Sequence, residues 1–142
     1  MNQSIAAANK AALHRIIAAY AIGNLEPLLS SLDQDAVWTS YGPREELRFA
    51  GTHKGRDNCL AGLSLMAADF ALHSYEIVEM IAENDVVWMH ARIETSRRAG
   101  GARHTLDVAN RWQFREGKIV GIAEFYDSAS MLMRDGKLRA AG

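Results

Sequence analysis

The chain has 142 residues, 49% of them apolar and 23% charged, the size and composition of one water-soluble domain that buries its own core. Its 16 Lys and Arg against 17 Asp and Glu leave a formal charge of −1, so no net field draws it to nucleic acid. No apolar run approaches the ~20 residues of a membrane crossing, Met1-Asn2-Gln3-Ser4 lacks the basic start of a secretory signal, and one cysteine makes no intrachain disulfide, so a cytoplasmic location is expected.

Residues 4–22 hold no Gly or Pro and are rich in Ala, with Leu13, Ile16, Ile17 and Tyr20 on one stripe. This predicts an amphipathic helix capped by Ser4 and stopped at Gly23. Asn24 and Pro27 open a second helix that Leu28, Leu29 and Leu32 continue, and Ala36–Tyr41 reads as a strand ended by Gly42-Pro43. From Arg44 to Lys54, charges surround Leu47 and Phe49 irregularly, as in a loop crossing the mouth of a site, with Arg48–His53 at most a short strand. Arg56 to Ala68 places Cys59, Leu60, Leu63, Met66 and Ala67 at helical spacing. Four β-rich segments follow, near 73–82, 85–98, 103–115 and 118–127, separated by Asn84-Asp85, Gly100-Gly101 and Glu116-Gly117. Connections this short impose antiparallel neighbours, so the expected class is α+β: a curved antiparallel sheet with three helices from the N-terminal half packed on its concave face. A single domain spanning 1–142 is expected, its core at about 4–130 and a polar tail at 131–142 whose Met131-Leu132-Met133 docks or frays.

Strand alternation puts Trp88, His90, Arg92 and Glu94 on one face of the 85–98 segment, and Val108, Asn110, Trp112 and Phe114 on one face of the next strand. The last strand ends Glu124-Phe125-Tyr126-Asp127, with Asp127 on the face of Ala123 and Phe125. An acid there is either a helix cap or a site carboxylate. Turned into a hollow, Arg92 would hold one carboxylate ionised while burial raised the pKa of another, which is acid–base equipment; turned outward, the same residues are an ordinary solvated face. His90 is a competing base or a structural imidazole. Tyr20, Trp38 and Trp112 line a cavity or fill the core. His14, His53, His73, His90 and His104 lack zinc-site spacing, so no metal is expected, and no glycine pattern implies a nucleotide cofactor. Cys59 reads as a buried apolar residue, and Arg97–Arg103 as a solvated hairpin tip in preference to a phosphate contact.

Ala18-Ala19-Tyr20-Ala21-Ile22-Gly23-Asn24-Leu25-Glu26, Asp35-Ala36-Val37-Trp38, Gly51-Thr52-His53-Lys54-Gly55-Arg56 and Phe114-Arg115-Glu116-Gly117-Lys118-Ile119, leading into Glu124-Phe125-Tyr126-Asp127, resemble the nuclear transport factor 2-like superfamily. The likeness is to its SnoaL-like branch of polyketide cyclases and ketosteroid isomerase relatives, over residues 4 to 130. It implies a cone-shaped sheet closed by helices around an apolar pocket, and a homodimer paired through the sheet. Carried over residue by residue, the ketosteroid isomerase pattern fails: its tyrosine falls on Ile16, its base on Ser40 and its second acid on Asn110. The limonene epoxide hydrolase pattern fits better, with Arg-x-Asp on Arg92-Ile93-Glu94 and a strand-end aspartate on Asp127, although its water-holding Tyr-x-Asn meets Trp38-Thr39-Ser40.

The resulting expectation is a cofactor-independent hydrolase, isomerase or cyclase acting on an apolar or oxygenated small molecule. Its catalytic residues would be Asp127, Arg92, Glu94 and His90, and its substrate contacts Tyr20, Trp38, Ser40, Trp88, Asn110, Trp112 and Phe125. The rival is a non-catalytic ligand-binding or protein-interaction module of the same fold.

Overall fold

The structure, a computed structural model, describes residues 4–138 and 141. The Ser4 hydroxyl accepts the Ala7 N–H at 3.1 Å and opens α1 (Ile5–Ala21), which ends before Gly23 at φ +84°. Leu13, Ile16 and Ile17 bury the predicted stripe. In the short α2 (Glu26–Ser31) Pro27 occupies the first turn and the Asn24 amide oxygen accepts the Glu26 N–H at 3.2 Å. β1 (Leu32–Tyr41) starts before the predicted Ala36, because a register break between Leu32 and Val37 carries the polar Asp33-Gln34-Asp35 without interrupting the strand. The loop after it buries Leu47, Phe49 and Ala50 and leads into β2 (Gly51–Lys54).

α3 (Arg56–Asp69) lies so close to this edge that a Cβ at Gly62 would come within 2.9 Å of both the His53 and Trp38 rings, which stack at 4.8 Å. The missing side chain therefore lets α3 fix the Trp38 indole. β3 (Phe70–Glu83), β4 (Val86–Arg97), β5 (His104–Arg115) and β6 (Lys118–Tyr126) form the expected antiparallel meander. Register shifts in β3 after Leu72 and after Ile77 bend it around the helices.

The six-stranded sheet has the order β2-β1-β6-β5-β4-β3. It is not wholly antiparallel as expected: β1 runs parallel to β6. Short turns dictate the direction of strands adjacent in sequence, but β1 and β6 are joined through the whole intervening chain, which permits either direction. The second departure is a fourth helix. The segment expected as tail forms α4 (Ser128–Arg134), with the Asp127 carboxylate capping the Ser130 N–H at 3.0 Å and Met131 and Leu132 buried. Asp135, next in the chain, accepts the Arg97 Nε–H at 2.8 Å and meets His104 Nε2 at 2.6 Å, its side chain only 6% exposed. Arg97 also donates to the Glu46 carbonyl at 3.3 Å and lies 4.9 Å over the Phe70 ring. One ion cluster thus ties α4, the 42–50 loop and the β4–β5 hairpin together.

Candidate functional site

Alternation sorts each strand into an inner face toward the helices and an outer face. On β6, Ile122, Glu124 and Tyr126 point inward; on β5, Asn110 and Trp112; on β1, Trp38 and Ser40. The β5–β6 register sets Asn110 opposite Glu124, and the parallel β1–β6 register sets Ser40 beside Glu124. An acidic residue is thereby placed in the middle of the apolar face.

Glu124 lines a cavity of about 420 Å³ between the sheet and α1, α3, the 42–50 loop and α4, whose walls carry Tyr20, Phe49, Phe70, Tyr75 and Tyr126. A recess of about 60 Å³ continues inward past Glu124 to Trp38, Asn110 and Trp112. Asn110 Oδ1 and Trp112 Nε1 are buried without a protein hydrogen-bond partner, so they offer one acceptor and one donor to a polar group in that recess. Asn110 Nδ2 makes only a long contact, 3.5 Å, to the Tyr75 hydroxyl.

Burial in these surroundings raises the Glu124 pKa from 4.5 to about 7, against the opposing hydrogen bonds of Ser40 and Trp38. The Trp38 indole can only donate, so the carboxyl is the acceptor there. Ser40, beside Glu124 in the β1–β6 register, also bonds the Tyr126 hydroxyl at 2.9 Å. Burial and then the Glu124 charge push Tyr20 and Tyr126 up to about 12, and Tyr75 is raised for the same reasons. The tyrosines remain neutral hydrogen-bonding groups, leaving Glu124 as the cavity group that titrates near neutrality.

The residues expected to be catalytic lie elsewhere. His90, Arg92 and Glu94 do share a face with Trp88, but it is the outer one. His90 Nε2 lies 2.7 Å from Asp107 Oδ1, with Arg92 Nη2 at 3.3 Å from the same oxygen, and Glu94 pairs with Arg103 at 3.1 Å. The Asp107 carboxyl is held below its ordinary pKa, first by the His90 hydrogen bond and further by Arg92. Asp127 caps α4, and the Ser130 hydrogen bonds hold its pKa down. The expected convergence of Arg92, Glu94 and Asp127 around a hollow is therefore not formed: Arg92 and Glu94 reach outward because the inner positions of β4 are Val87, Met89, Ala91 and Ile93, and Asp127 is taken up as the cap of α4.

Of the expected substrate contacts, Tyr20 reaches the main cavity, Trp38, Asn110 and Trp112 reach the recess, and Ser40 lies beside Glu124 in the register and bonds Tyr126. Trp88 and Phe125 do not. They lie on the outer face, where Phe125 stacks between Tyr41 at 4.6 Å and Trp88 at 6.1 Å. This aromatic cluster explains why a tryptophan sits on a face that is otherwise charged. The sequence reading passed over Glu124, Tyr75, Tyr126 and Phe49. The signal for Glu124 was present in the alternation Ile122, Glu124, Tyr126, an acid on the apolar side of the last strand. Among the described residues, no group of three or more His, Cys, Asp or Glu side chains is placed to hold a metal ion.

With the geometry in view, the chain can be set beside known proteins. The sequence profile of the SnoaL-like domain family matches residues 13–122. The chain belongs to the SnoaL-like family. No curated protein matches it by sequence. Among solved structures, this SnoaL-like chain is similar to an NTF2-like protein of unknown function from Burkholderia pseudomallei, at 20% identity over 89% of this chain and 96% of that one, with TM-score 0.81. It is similar to a Catenulispora acidiphila protein of ketosteroid isomerase-like fold in complex with trimethylamine, at 17% identity over 88% and 92%, TM-score 0.73. It is also similar to an epoxide hydrolase of the LEH-like type from M. tuberculosis, at 14% identity over 92% and 90%, TM-score 0.71. The superpositions establish a shared NTF2-like fold, and at identities this low the likeness is one of fold alone.

Proposed function

We propose that this SnoaL-like chain binds an apolar or oxygenated small molecule in the cavity facing Glu124 and performs acid–base chemistry on it, of the hydrolase, isomerase or cyclase type, with Glu124 as the proton-transferring group. The observation that carries this reading is a carboxyl in an apolar cavity with its pKa raised to about 7, near the value at which one group serves as both acid and base in neutral water. The hydrogen-bonded Tyr126 and Ser40 hydroxyls flank it, and the recess at Asn110 and Trp112 receives a polar atom of the ligand or a water. The chemistry draws on the chain's own side chains. That solved structures of this fold include an epoxide hydrolase and a small-amine complex is consistent with a binding cavity.

The test is turnover of a panel of epoxides and β,γ-unsaturated ketones, with native mass spectrometry of the fresh protein for a retained molecule. Glu124→Gln is expected to lower kcat by roughly 10²–10⁴-fold on any member that reacts, and the wild-type rate to follow a group near pH 7. An unchanged rate in Glu124→Gln would refute the assignment. Retention of a molecule without turnover selects the rival, a cavity that only binds.

The same reading includes a homodimer paired through the outer face, in a cytoplasmic protein. Trp88, Phe125, Tyr41 and Ile81 stand 39–59% exposed in one region of that face, an apolar surface of the kind a second copy covers. Phe125→Glu is expected to give a monomer by light scattering; a wild-type monomer, or a dimer indifferent to the substitution, would remove this part of the proposal. Among the described residues no helix is long and apolar enough to cross a membrane.

A further inference from the structure

The groups that face Glu124 come from every wall. They are Trp38 and Ser40 on β1, Tyr20 on α1, Tyr75 on β3, Asn110 on β5 and Tyr126 on β6. None is cationic. The basic residue that lines the cavity, Arg98, stands at its edge with its Nε–H on the Ala67 carbonyl at 2.6 Å. Among the described residues no Lys, Arg or His forms an ion pair with Glu124, and every ion pair that does form uses another carboxylate, Asp33, Asp69, Glu94, Asp107 or Asp135. Trp38, a donor with no acceptor capacity, and Ser40, its neighbour in the β1–β6 register, favour the ionised carboxyl. The protein has therefore prepared Glu124 to accept hydrogen bonds and has supplied no positive charge.

The walls match that deficit. Tyr20 and Tyr75 meet at 5.9 Å and 80°, and Phe49 and Phe70 at 5.9 Å and 87°, with Tyr126 tilted against Phe49 at 6.5 Å. Rings set at right angles present faces as well as edges to one enclosed space, and ring faces attract cations through their quadrupole. An isolated buried carboxylate is costly, and a cation that brings its own N–H to the carboxylate and its carbons to the rings removes that cost.

Resting on the reading of the cavity given above, and going beyond it, we propose that the preferred ligands carry a protonated amine on an apolar body, with the ammonium N–H on Glu124 and its carbon substituents against Tyr20, Phe49, Phe70, Tyr75 and Tyr126. A neutral carbonyl ligand requires the reverse arrangement, a protonated Glu124 that donates. The two ligand classes thus predict opposite pH dependence, because an ammonium binds the ionised carboxyl and a carbonyl binds the neutral one.

The experiment is isothermal titration of the full chain with N,N-dimethylbenzylamine and with acetophenone at pH 6 and pH 8, each in two buffers of different ionisation heat. With the Glu124 pKa at about 7, the amine is expected to bind about tenfold more tightly at pH 8 than at pH 6. It should release about 0.9 proton at pH 6 and close to none at pH 8, where the amine's own uptake offsets the small release from Glu124. Glu124→Gln, checked for folding by thermal melting, is expected to lose both the tight binding and its pH slope. Amine affinity that is flat with pH, or that survives Glu124→Gln, overturns the proposal. Acetophenone binding more tightly at pH 6, with no amine binding, overturns it and leaves the broader reading of the cavity standing. Failure of both probes to bind overturns the inference, and an unchanged panel rate in Glu124→Gln is what removes the broader reading.

Discussion

Asp135→Ala is expected to destabilise the fold by about 3–5 kcal/mol, the cost of removing one partner from a buried ion pair. The reason is what it strands. His104 is fully buried and Arg97 largely so, and both hydrogen bonds to Asp135 are short. Without the carboxylate, a largely buried guanidinium and a fully buried imidazole lose their acidic partner. Thermal melting should show a fall on the order of 10–20 °C for a domain of this size. Replacing Asp135, Arg97 and His104 together by apolar residues of similar volume is expected to cost less than Asp135→Ala alone, since it leaves no unpaired charge. A loss below about 1 kcal/mol in Asp135→Ala would show that α4 holds without the cluster. The pH dependence has a definite sign. Burial would raise the Asp135 pKa, but the Arg97 and His104 hydrogen bonds outweigh it and hold the carboxyl below its ordinary value. Its stabilisation is therefore complete above the unfolded-state pKa near 4 and is lost as the pH falls through the lower folded-state value.

Glu124→Gln is expected to make the protein more stable at pH 8, by up to about 3 kcal/mol, while leaving stability near pH 4 almost unchanged. The folded-state pKa is about 7 and the unfolded one about 4.5, so between these values the folded chain binds more protons than the unfolded one. Stability accordingly falls as pH rises across that window, and the deficit is fully present above it. Glutamine has no charge to desolvate and can still accept from Trp38 and Ser40. Denaturant melts of wild type and variant at pH 4 and pH 8 measure the difference, and parallel pH profiles would show that Glu124 ionises as freely in the folded chain as in the unfolded one. A residue whose removal stabilises the fold is retained for what it does, which is the usual balance at a binding or catalytic site. Asp135 and Glu124 tilt stability in opposite directions with pH, so the two variants distinguish an acid held for structure from one held for function.

Much of the fold was legible in the sequence because local signals and global packing agree. Ser4, Gly23, the stripe through Leu13, Ile16 and Ile17, and the turns at Asn84 and Glu116-Gly117 each act within a few residues. The parallel partner of β1 was not legible, since nothing local encodes a pairing between Trp38 and Ile122. At the site, alternation correctly grouped Trp88, His90, Arg92 and Glu94, and separately Val108, Asn110, Trp112 and Phe114. It could not state which group faces the helices. Three ionisable residues suggested a site, yet the charged face is the solvated one, and the single acid among apolar neighbours, Glu124, is the one enclosed. The exposed stack of Trp88, Phe125 and Tyr41 misled for a physical reason: an aromatic residue signals burial whether the cover is the chain's own core or a second molecule.

The parallel seam between β1 and β6 also governs assembly. The antiparallel meander can zip from one short turn to the next, but Trp38 and Ser40 meet Glu124 only after more than eighty intervening residues have been brought into place. Loop closure of that span must precede any reward from the contact, so among the sheet's pairings this one carries the largest closure cost. On the ribosome, the N-terminal helices and first strand emerge long before β6, the strand that brings the chamber its acid.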